Sequence, residues 1–220
     1  NKMDFAKARF NMVEQQIRPW DVLDFDLLDA LQDLPRELFV SEAQKAYAYS
    51  DTPLPLPNGD TMLEPKIVAR LVQGLALQKT DSVLEIGTGS GYATALLAKL
   101  CGEVTTIDLD ADQQVRAKMA LTAIAQENVI FQTGDGLAAA VGGAPFDAIY
   151  VGGSLPRIPE GLKAQLKDGG RLVAIIGDHP VQRAQLLVRQ GNEFIETTLF
   201  DTKVPALSTA ALPAGSAFSF

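Results

Sequence analysis

The chain has 220 residues, of which 47% are apolar and 21% are charged, and its formal net charge is −8. This length suits one domain with a sizeable core, and the composition excludes disordered and low-complexity architectures. The acidic balance disfavours nucleic acid as a partner, because proteins that bind nucleic acid usually carry a basic surface for the phosphates. No apolar run approaches the roughly 20 residues of a membrane span and no signal-like segment opens the chain, so we expect no membrane partner and a cytoplasmic location.

The first part of the chain predicts two helices and then an extended stretch. Apolar residues recur at helical spacing from Phe5 to Ile17 and again from Leu27 to Leu31. Three prolines at alternate positions between 53 and 57 forbid a helix there and fix an extended path. A third helix is predicted from Pro65 to about residue 75. We interpret residues 1–78 as an N-terminal segment that packs on the core and contributes to an acceptor site.

Beyond residue 78, short apolar runs alternate with helical segments. The predicted strands span 82–86, 104–107, 129–131, 148–151 and 171–176, and the predicted helices span 92–100, 111–125 and 159–166. This alternation predicts an α/β fold with a doubly wound, mostly parallel sheet that is covered on both faces. Two further runs, 184–188 and 194–200, predict a C-terminal antiparallel hairpin. Such a hairpin is typical of methyltransferases, and we assign residues 79–220 to this core.

A glycine-rich segment follows the first strand of the core and opens its first helix. Glycines allow a tight turn and a close approach of the backbone to a ligand, while the helix N-terminus offers unpaired N–H groups. The alternative is a glycine turn without a ligand. The candidate cofactor residues here are Glu85, Gly87, Thr88, Gly89, Ser90, Gly91 and Tyr92.

Two details favour S-adenosylmethionine over a nicotinamide cofactor. The last glycine of a Gly-x-Gly-x-x-Gly fingerprint would fall at Tyr92, so that fingerprint is absent. The carboxylate of Glu85 would repel a pyrophosphate, but it suits the cationic amino-acid end of S-adenosylmethionine. We therefore expect S-adenosylmethionine as cofactor and S-adenosylhomocysteine as its product.

Two aspartates lie where later strands of the core end. Asp108 is about 20 residues beyond the glycines, where a carboxylate holds a ribose diol; it is also a candidate N-cap for the next helix. Asp135 is placed to accept from an adenine amino group, and the alternative is a plain turn residue. Leu109 and Gly136 complete this candidate set.

The chain resembles the protein-L-isoaspartate O-methyltransferase family over nearly its whole length. The stretches that carry the resemblance are NMVEQQIR at 11–18, LPRELFV at 34–40, AYAYSD at 46–51, VLEIGTGSGY at 83–92, GDG at 134–136 and QLKDGGRL at 165–172. The resemblance implies a seven-stranded sheet, S-adenosylmethionine as donor, and an isoaspartyl residue of a damaged protein or peptide as acceptor. Methylation of its carboxylate is a repair step.

One string departs from the pattern of the family. Family members carry Gly-x-Thr-Ile-Ser-x-Pro before the third helix, and the serine lies beside the acceptor carboxylate. Here Thr61 matches, Leu63 replaces the serine, and Glu64 adds a negative charge. These three are the candidate catalytic residues. Two alternatives remain: a methyltransferase for a small molecule with Glu64 or Thr61 as base, and a silent protein that binds S-adenosylmethionine.

Single cysteine and histidine residues leave no plausible metal site and no internal disulfide. Cys101 is expected to be a small apolar residue at a helix end. His179 is expected to lie in a loop. The tail at 206–220 is expected either to cover the acceptor cleft or to pack on a neighbouring molecule.

Overall fold

The computed structural model describes residues 3–177 and 181–208. Its centre is a seven-stranded sheet in the order β5-β4-β3-β6-β7-β8-β9. The strands β3 to β7 run parallel, and β8 and β9 are antiparallel. The bounds are β1 Leu54–Pro55, β2 Thr61–Met62, β3 Ser82–Ile86, β4 Glu103–Asp108, β5 Val129–Thr133, β6 Phe146–Leu155, β7 Leu166–Ile176, β8 Gln182–Gln190 and β9 Glu193–Thr202. The predicted doubly wound sheet with a C-terminal hairpin is confirmed.

Six α-helices are described, and the first continues into two further turns. A π-helical turn, Val13–Ile17, and a 3-10 turn, Arg18–Trp20, extend it. Shorter 3-10 turns span Arg36–Phe39 and Glu42–Tyr47. The α-helices are α1 Phe5–Met12, α2 Phe25–Asp33, α3 Pro65–Gly74, α4 Tyr92–Leu100, α5 Ala111–Ala123 and α6 Glu160–Lys163. None of them is long and apolar enough to cross a membrane, within the ranges that the structure describes.

Two predicted helices are shorter than expected: the helix predicted over 111–125 ends at Ala123, and α6 also ends early. The sequence predicted a helix over 159–166, but α6 ends at Lys163. Leu166 begins β7 and pairs with Phe146, whose N–H donates to the carbonyl oxygen of Gln165 at 2.7 Å. Pairing with the sheet therefore determines the conformation at the end of this segment.

The sheet separates two hydrophobic clusters. Because side chains alternate along a strand, Val83 and Ala148 face one cluster while Leu84 and Ile149 face the other. The first cluster also takes in the buried residues of the N-terminal segment, among them Met12, Ile17, Leu31, Ile67 and Leu71. The N-terminal segment therefore packs directly on one face of the sheet. Cys101 is buried after α4, as expected, whereas His179 and the tail beyond residue 208 lie outside the described residues.

The strand order reverses beside β3. The chain leaves this strand toward β4 on one side and reaches β6 on the other. In open α/β sheets such a reversal leaves a crevice at the carboxyl ends of the strands, where ligands bind. The glycine-rich segment between β3 and α4 lies at this edge.

Candidate active site

A cavity of about 250 Å³ opens at the carboxyl edge of β3, β4 and β6. Side chains and backbone from both parts of the chain line it. The lining residues lie within Gly59 to Leu63, Ile86 to Gly89, Ile107 to Leu109, Gly134 to Gly136, Gly152, and Pro205 to Ser208. The cavity is therefore enclosed between the sheet edge, the segment before α3 and the segment after β9.

The glycine segment forms one wall, and two of its glycines, Gly87 and Gly89, line the cavity, whereas Gly91 does not. Gly87 has φ +93°, and a Cβ atom there would lie 2.9 Å from Cδ1 of Leu207. Gly91 has φ +88° and packs α4 against α5, because a Cβ there would lie 2.9 Å from Cβ of Ala117. The segment thus brings bare backbone to the cavity, where a side chain at Gly87 would collide with Leu207.

Three other members of the segment face away from the cavity. The hydroxyl of Thr88 lies 2.7 Å from that of Thr106 beneath the segment. The hydroxyl of Ser90 accepts from the backbone N–H of Tyr92 at 3.1 Å. The side chain of Tyr92 is buried. These residues shape the turn and are not among the lining residues.

Asp108 and Leu109 both line the cavity. One carboxylate oxygen of Asp108 accepts from the N–H of Gly89 at 3.1 Å, and the other accepts from the N–H of Asp110 at 2.9 Å. Burial raises the pKa of this carboxyl above its usual value. Each oxygen can accept a second hydrogen bond, so Asp108 retains capacity for a diol.

The alternative role of Asp108 as a helix cap is wrong. Asp110 caps α5, because its carboxylate accepts from the N–H groups of Asp112 at 3.0 Å and Gln113 at 3.1 Å. Two aspartates separated by one residue could each have preceded the helix. The helix begins at Ala111, so the nearer aspartate caps it.

Asp135 and Gly136 line the cavity at the end of β5. A carboxylate oxygen of Asp135 accepts from the N–H of Leu137 at 2.9 Å, as an aspartate in a turn does. A Cβ on Gly136 would lie 2.7 Å from Cδ1 of Ile86, so this turn packs tightly on the sheet edge. Asp135 therefore combines the turn role with a place in the lining.

Glu85 lies beneath the cavity instead of in its lining. It is 0% exposed, and its Oε1 accepts from the hydroxyl of Thr106 at 2.7 Å and from that of Thr94. Its Oε2 has no hydrogen-bond partner within the described ranges. The alternation along β3 turns this side chain toward α4 and β4. Glu85 lies close to the cavity, as predicted, but it does not reach a ligand bound there. Burial raises the pKa of the Glu85 carboxyl to about 8.

The string from Gly59 to Pro65, here named the acceptor string, forms the opposite wall. Thr61 and Leu63 line the cavity, and Leu63 is 7% exposed. Glu64 is not a lining residue. Its carbonyl oxygen accepts from the N–H groups of Ile67 at 3.1 Å and Val68 at 3.2 Å, so Glu64 is the residue that precedes α3.

Pro205 to Ser208 form a further wall of the cavity, so the start of the tail agrees with the first of its two expected places, over the acceptor cleft. This stretch runs beside the end of β6, where the N–H of Ser154 donates to Pro205 at 3.0 Å and the N–H of Leu207 donates to Ser154 at 2.9 Å. The hydroxyl of Ser208 donates to a carboxylate oxygen of Asp60 at 3.0 Å and thereby joins two walls. The only sequence signal was an apolar string, VPAL, just after the last strand.

The charge of the cavity favours a cationic ligand. Its lining carries three carboxylates, from Asp60, Asp108 and Asp135, and no lysine, arginine or histidine among the residues that the structure describes. The bare backbone at Gly87, with the carboxylates at two further strand ends, fits a sulfonium nucleoside.

A model of the protein-L-isoaspartate(D-aspartate) O-methyltransferase family matches residues 8–207. The chain belongs to this family. The match includes the glycine segment, the acceptor string and the stretch up to Leu207, which together enclose the cavity.

Individual members of the isoaspartate methyltransferase family agree with this assignment. Protein-L-isoaspartate O-methyltransferase 1 of Syntrophobacter fumaroxidans is 42% identical over 196 residues, which cover 89% of this chain and 91% of the relative. A solved protein-L-isoaspartate O-methyltransferase superposes with a TM-score of 0.80 at 25% identity, and covers 96% of this chain and 67% of its own. A family protein from Plasmodium falciparum, solved with S-adenosyl-L-homocysteine, has the same fold, with a TM-score of 0.77 at 21% identity over 94% of this chain and 99% of its own.

Proposed function

We propose that this chain transfers a methyl group from S-adenosylmethionine to the carboxylate of an isoaspartyl residue in a damaged protein or peptide. The family match over residues 8–207 carries this proposal, because it spans every wall of the cavity. Residues 79–220 would supply the cofactor half, and residues 1–78 would supply the acceptor string.

The cofactor half of the cavity would be used from the glycine segment outward. Bound S-adenosylmethionine supplies a methyl group that its sulfonium has already activated. Gly87 and Gly89 would leave room for its amino-acid end, since both line the cavity without a side chain. Asp108 would accept from the ribose hydroxyls with its remaining lone pairs, and Asp135 would accept from the adenine amino group.

The acceptor half would contribute to catalysis mainly by holding the acceptor in line with the methyl group, and not by transferring a proton. A carboxylate acceptor is already ionised at neutral pH, so the reaction requires no general base. This agrees with the place of Glu64 outside the lining. Thr61 would present its hydroxyl and Leu63 an apolar surface, and the enclosing stretch Pro205 to Ser208 would limit the access of water. Holding the two reactants in line can account for several kcal/mol of the barrier.

A direct assay tests this proposal. The protein is incubated with methyl-labelled S-adenosylmethionine and an isoaspartyl peptide, with the normal aspartyl peptide as the matched control. We expect a base-labile methyl ester on the isoaspartyl peptide alone. Equal labelling of both peptides, or no labelling of either, would contradict the proposed acceptor.

A small-molecule acceptor is the second candidate, and the replacement at position 63 favours it. The wall around Leu63 lacks the hydroxyl that the family pattern places beside a carboxylate, and Leu207 extends the apolar surface opposite. Label that appears in small molecules of a cell extract, while isoaspartyl peptide stays unlabelled, would support this candidate.

Replacing Leu63 by serine tests the acceptor wall. We expect Leu63→Ser to raise kcat/KM for isoaspartyl peptide about 10-fold, because a hydrogen bond to a charged group contributes roughly 1.5–3 kcal/mol. Steady-state kinetics with the peptide as varied substrate measure this. The matched control is Met62→Ser, since Met62 is buried in the same string but is not a lining residue. An unchanged rate for Leu63→Ser would mean that this side chain does not meet the acceptor.

A further inference from the structure

A fully buried arginine joins the acceptor string to the helix that follows the glycine segment. Arg36 is 0% exposed. Its Nε donates to the carbonyl oxygen of Ala48 at 2.6 Å, and its Nη2 donates to the carbonyl oxygen of Leu63 at 3.0 Å. Its guanidinium carbon lies 4.5 Å from the ring centre of Tyr92, the first residue of α4. One side chain thus contacts three segments that meet behind the cavity.

Core stability does not explain an arginine at this position. The charge of Glu64 favours the charged form of Arg36, but no carboxylate forms an ion pair with it in the described ranges, and its Nη1 is buried without a hydrogen-bond partner. Burial lowers the pKa of the Arg36 guanidinium below its usual value. Burying an arginine without an ion pair destabilises a fold by several kcal/mol, and an apolar residue of similar volume would avoid that loss. The contacts of the guanidinium therefore point to a positional role.

Arg36 contacts Leu63 in a short segment that belongs to neither a strand nor a helix. The pairing of β1 with β2 ends at Met62, and α3 begins at Pro65. The carbonyl of Leu63 lies between them and accepts from Arg36, which is not a lining residue of the cavity. This peptide group follows Leu63 directly, so its orientation constrains how the side chain of Leu63 faces the cavity.

We propose that Arg36 is a positioning residue, which fixes the acceptor string relative to α4 and so aligns the acceptor with the methyl group. Arg36 does not line the cavity and acts through Leu63. Its effect on the methyl transfer rests on the proposed function, whereas its effect on the acceptor string does not. A displacement of about 1 Å at a reacting centre can lower a rate roughly 100-fold, so a single lost contact is sufficient.

The variant Arg36→Lys tests this role, because lysine keeps the charge but cannot donate in two directions as the planar guanidinium does. We expect amide hydrogen exchange to become faster at residues 59–64 and to stay unchanged at residues 82–108. With isoaspartyl peptide, kcat should fall about 10- to 100-fold. The dissociation constant for S-adenosylhomocysteine should change by less than about 3-fold, since no residue of the cofactor half is altered.

Arg70→Lys is the matched control. Arg70 donates to the carbonyl oxygens of Trp20 at 3.1 Å and Leu199 at 2.9 Å, and its guanidinium lies 5.9 Å from the ring centre of Trp20. It therefore makes the same kinds of contact as Arg36, but no lining residue of the cavity is among its partners. We expect Arg70→Lys to leave kcat and the exchange at residues 59–64 unchanged.

The outcomes separate this inference from the proposed function. Faster exchange at 59–64 in Arg36→Lys alone supports the positional role, even if the wild-type protein proves inactive on isoaspartyl peptide and the proposed acceptor is thereby overturned. Unchanged exchange with unchanged kcat overturns the positional role, as does an equal effect of both lysine variants. If Arg36→Lys does not fold, Arg36→Gln replaces it. Failure of both to fold would make Arg36 purely structural and would overturn the inference.

Discussion

Replacing Asp108 by alanine is expected to weaken the binding of S-adenosylhomocysteine about 100-fold or more. The proposed contact is a pair of hydrogen bonds from the ribose hydroxyls to a carboxylate, and each bond to a charged group contributes roughly 1.5–3 kcal/mol. The variant also loses the bond from the N–H of Gly89, which lies 3.1 Å from the carboxylate and helps to fix the glycine segment. Isothermal titration calorimetry measures the affinity, and circular dichroism confirms that the variant is folded.

Asp60→Ala is the matched control for Asp108→Ala. Asp60 also places a carboxylate in the lining, but it lies on the acceptor string, where it accepts from the hydroxyl of Ser208 and from the side-chain amide of Asn58. We expect its removal to change the affinity less than about 3-fold, because screened charges that make no direct contact contribute little. Equal losses in the two variants would show that general negative charge, and not a ribose contact, holds the nucleoside.

Replacing Glu85 by glutamine is expected to change how stability depends on pH. The pKa of Glu85 is raised to about 8 in the folded protein by burial, above its unfolded value of 4.5. The folded state therefore binds more protons than the unfolded state between these two values, so the free energy of unfolding falls as pH rises through this window. The contribution of this one group is up to about 1.4 kcal/mol per pH unit.

Urea unfolding at several pH values between 5 and 8 measures this effect. The side chain of Glu85→Gln is neutral and does not titrate. The free energy of unfolding of the wild type, minus that of Glu85→Gln, should therefore fall steadily from pH 5 to pH 8. Glu193→Gln, which alters an exposed residue at the start of β9, is the control and should follow the wild type. Parallel curves for wild type and Glu85→Gln would contradict a neutral buried Glu85.

The strands and helices of the core could be predicted because local sequence patterns determine them. The run 82–86 matches β3 residue for residue, and the helix 92–100 matches α4, since a glycine segment separates two strongly apolar stretches. The family resemblance predicted the number of strands. Where the prediction of α6 extended too far, a long-range pairing of Leu166 with β6 determined the outcome.

The direction of side chains at the site could be predicted less well. Glu85 is two residues from the first glycine, yet the alternation of β3 turns it under the segment, where Thr94 and Thr106 bind it. Which face of a strand is covered by which helix is a tertiary property, so the sequence around Glu85 did not reveal this. The same holds for Arg36, whose partners Ala48 and Leu63 are distant in the chain.

The sequence left two places open for the tail, and it named none of the residues of the wall from Pro205 to Ser208. This wall carries no charged or glycine-rich signal, and it reaches the cavity only because the hairpin of β8 and β9 returns the chain to the end of β6. Its contact with Gly87 through Leu207 is a consequence of that return. The acceptor string, in contrast, was recognised because Thr61 and Pro65 fit the family pattern on either side of Leu63.

Calorimetry on the purified, folded, nucleoside-free protein tests most directly whether the cavity is a cofactor site. We predict that S-adenosylhomocysteine binds with one-to-one stoichiometry, and that Asp108→Ala removes most of the affinity while Asp60→Ala retains it. No heat from the wild-type protein with either S-adenosylhomocysteine or S-adenosylmethionine would contradict the assignment of the cavity to this cofactor.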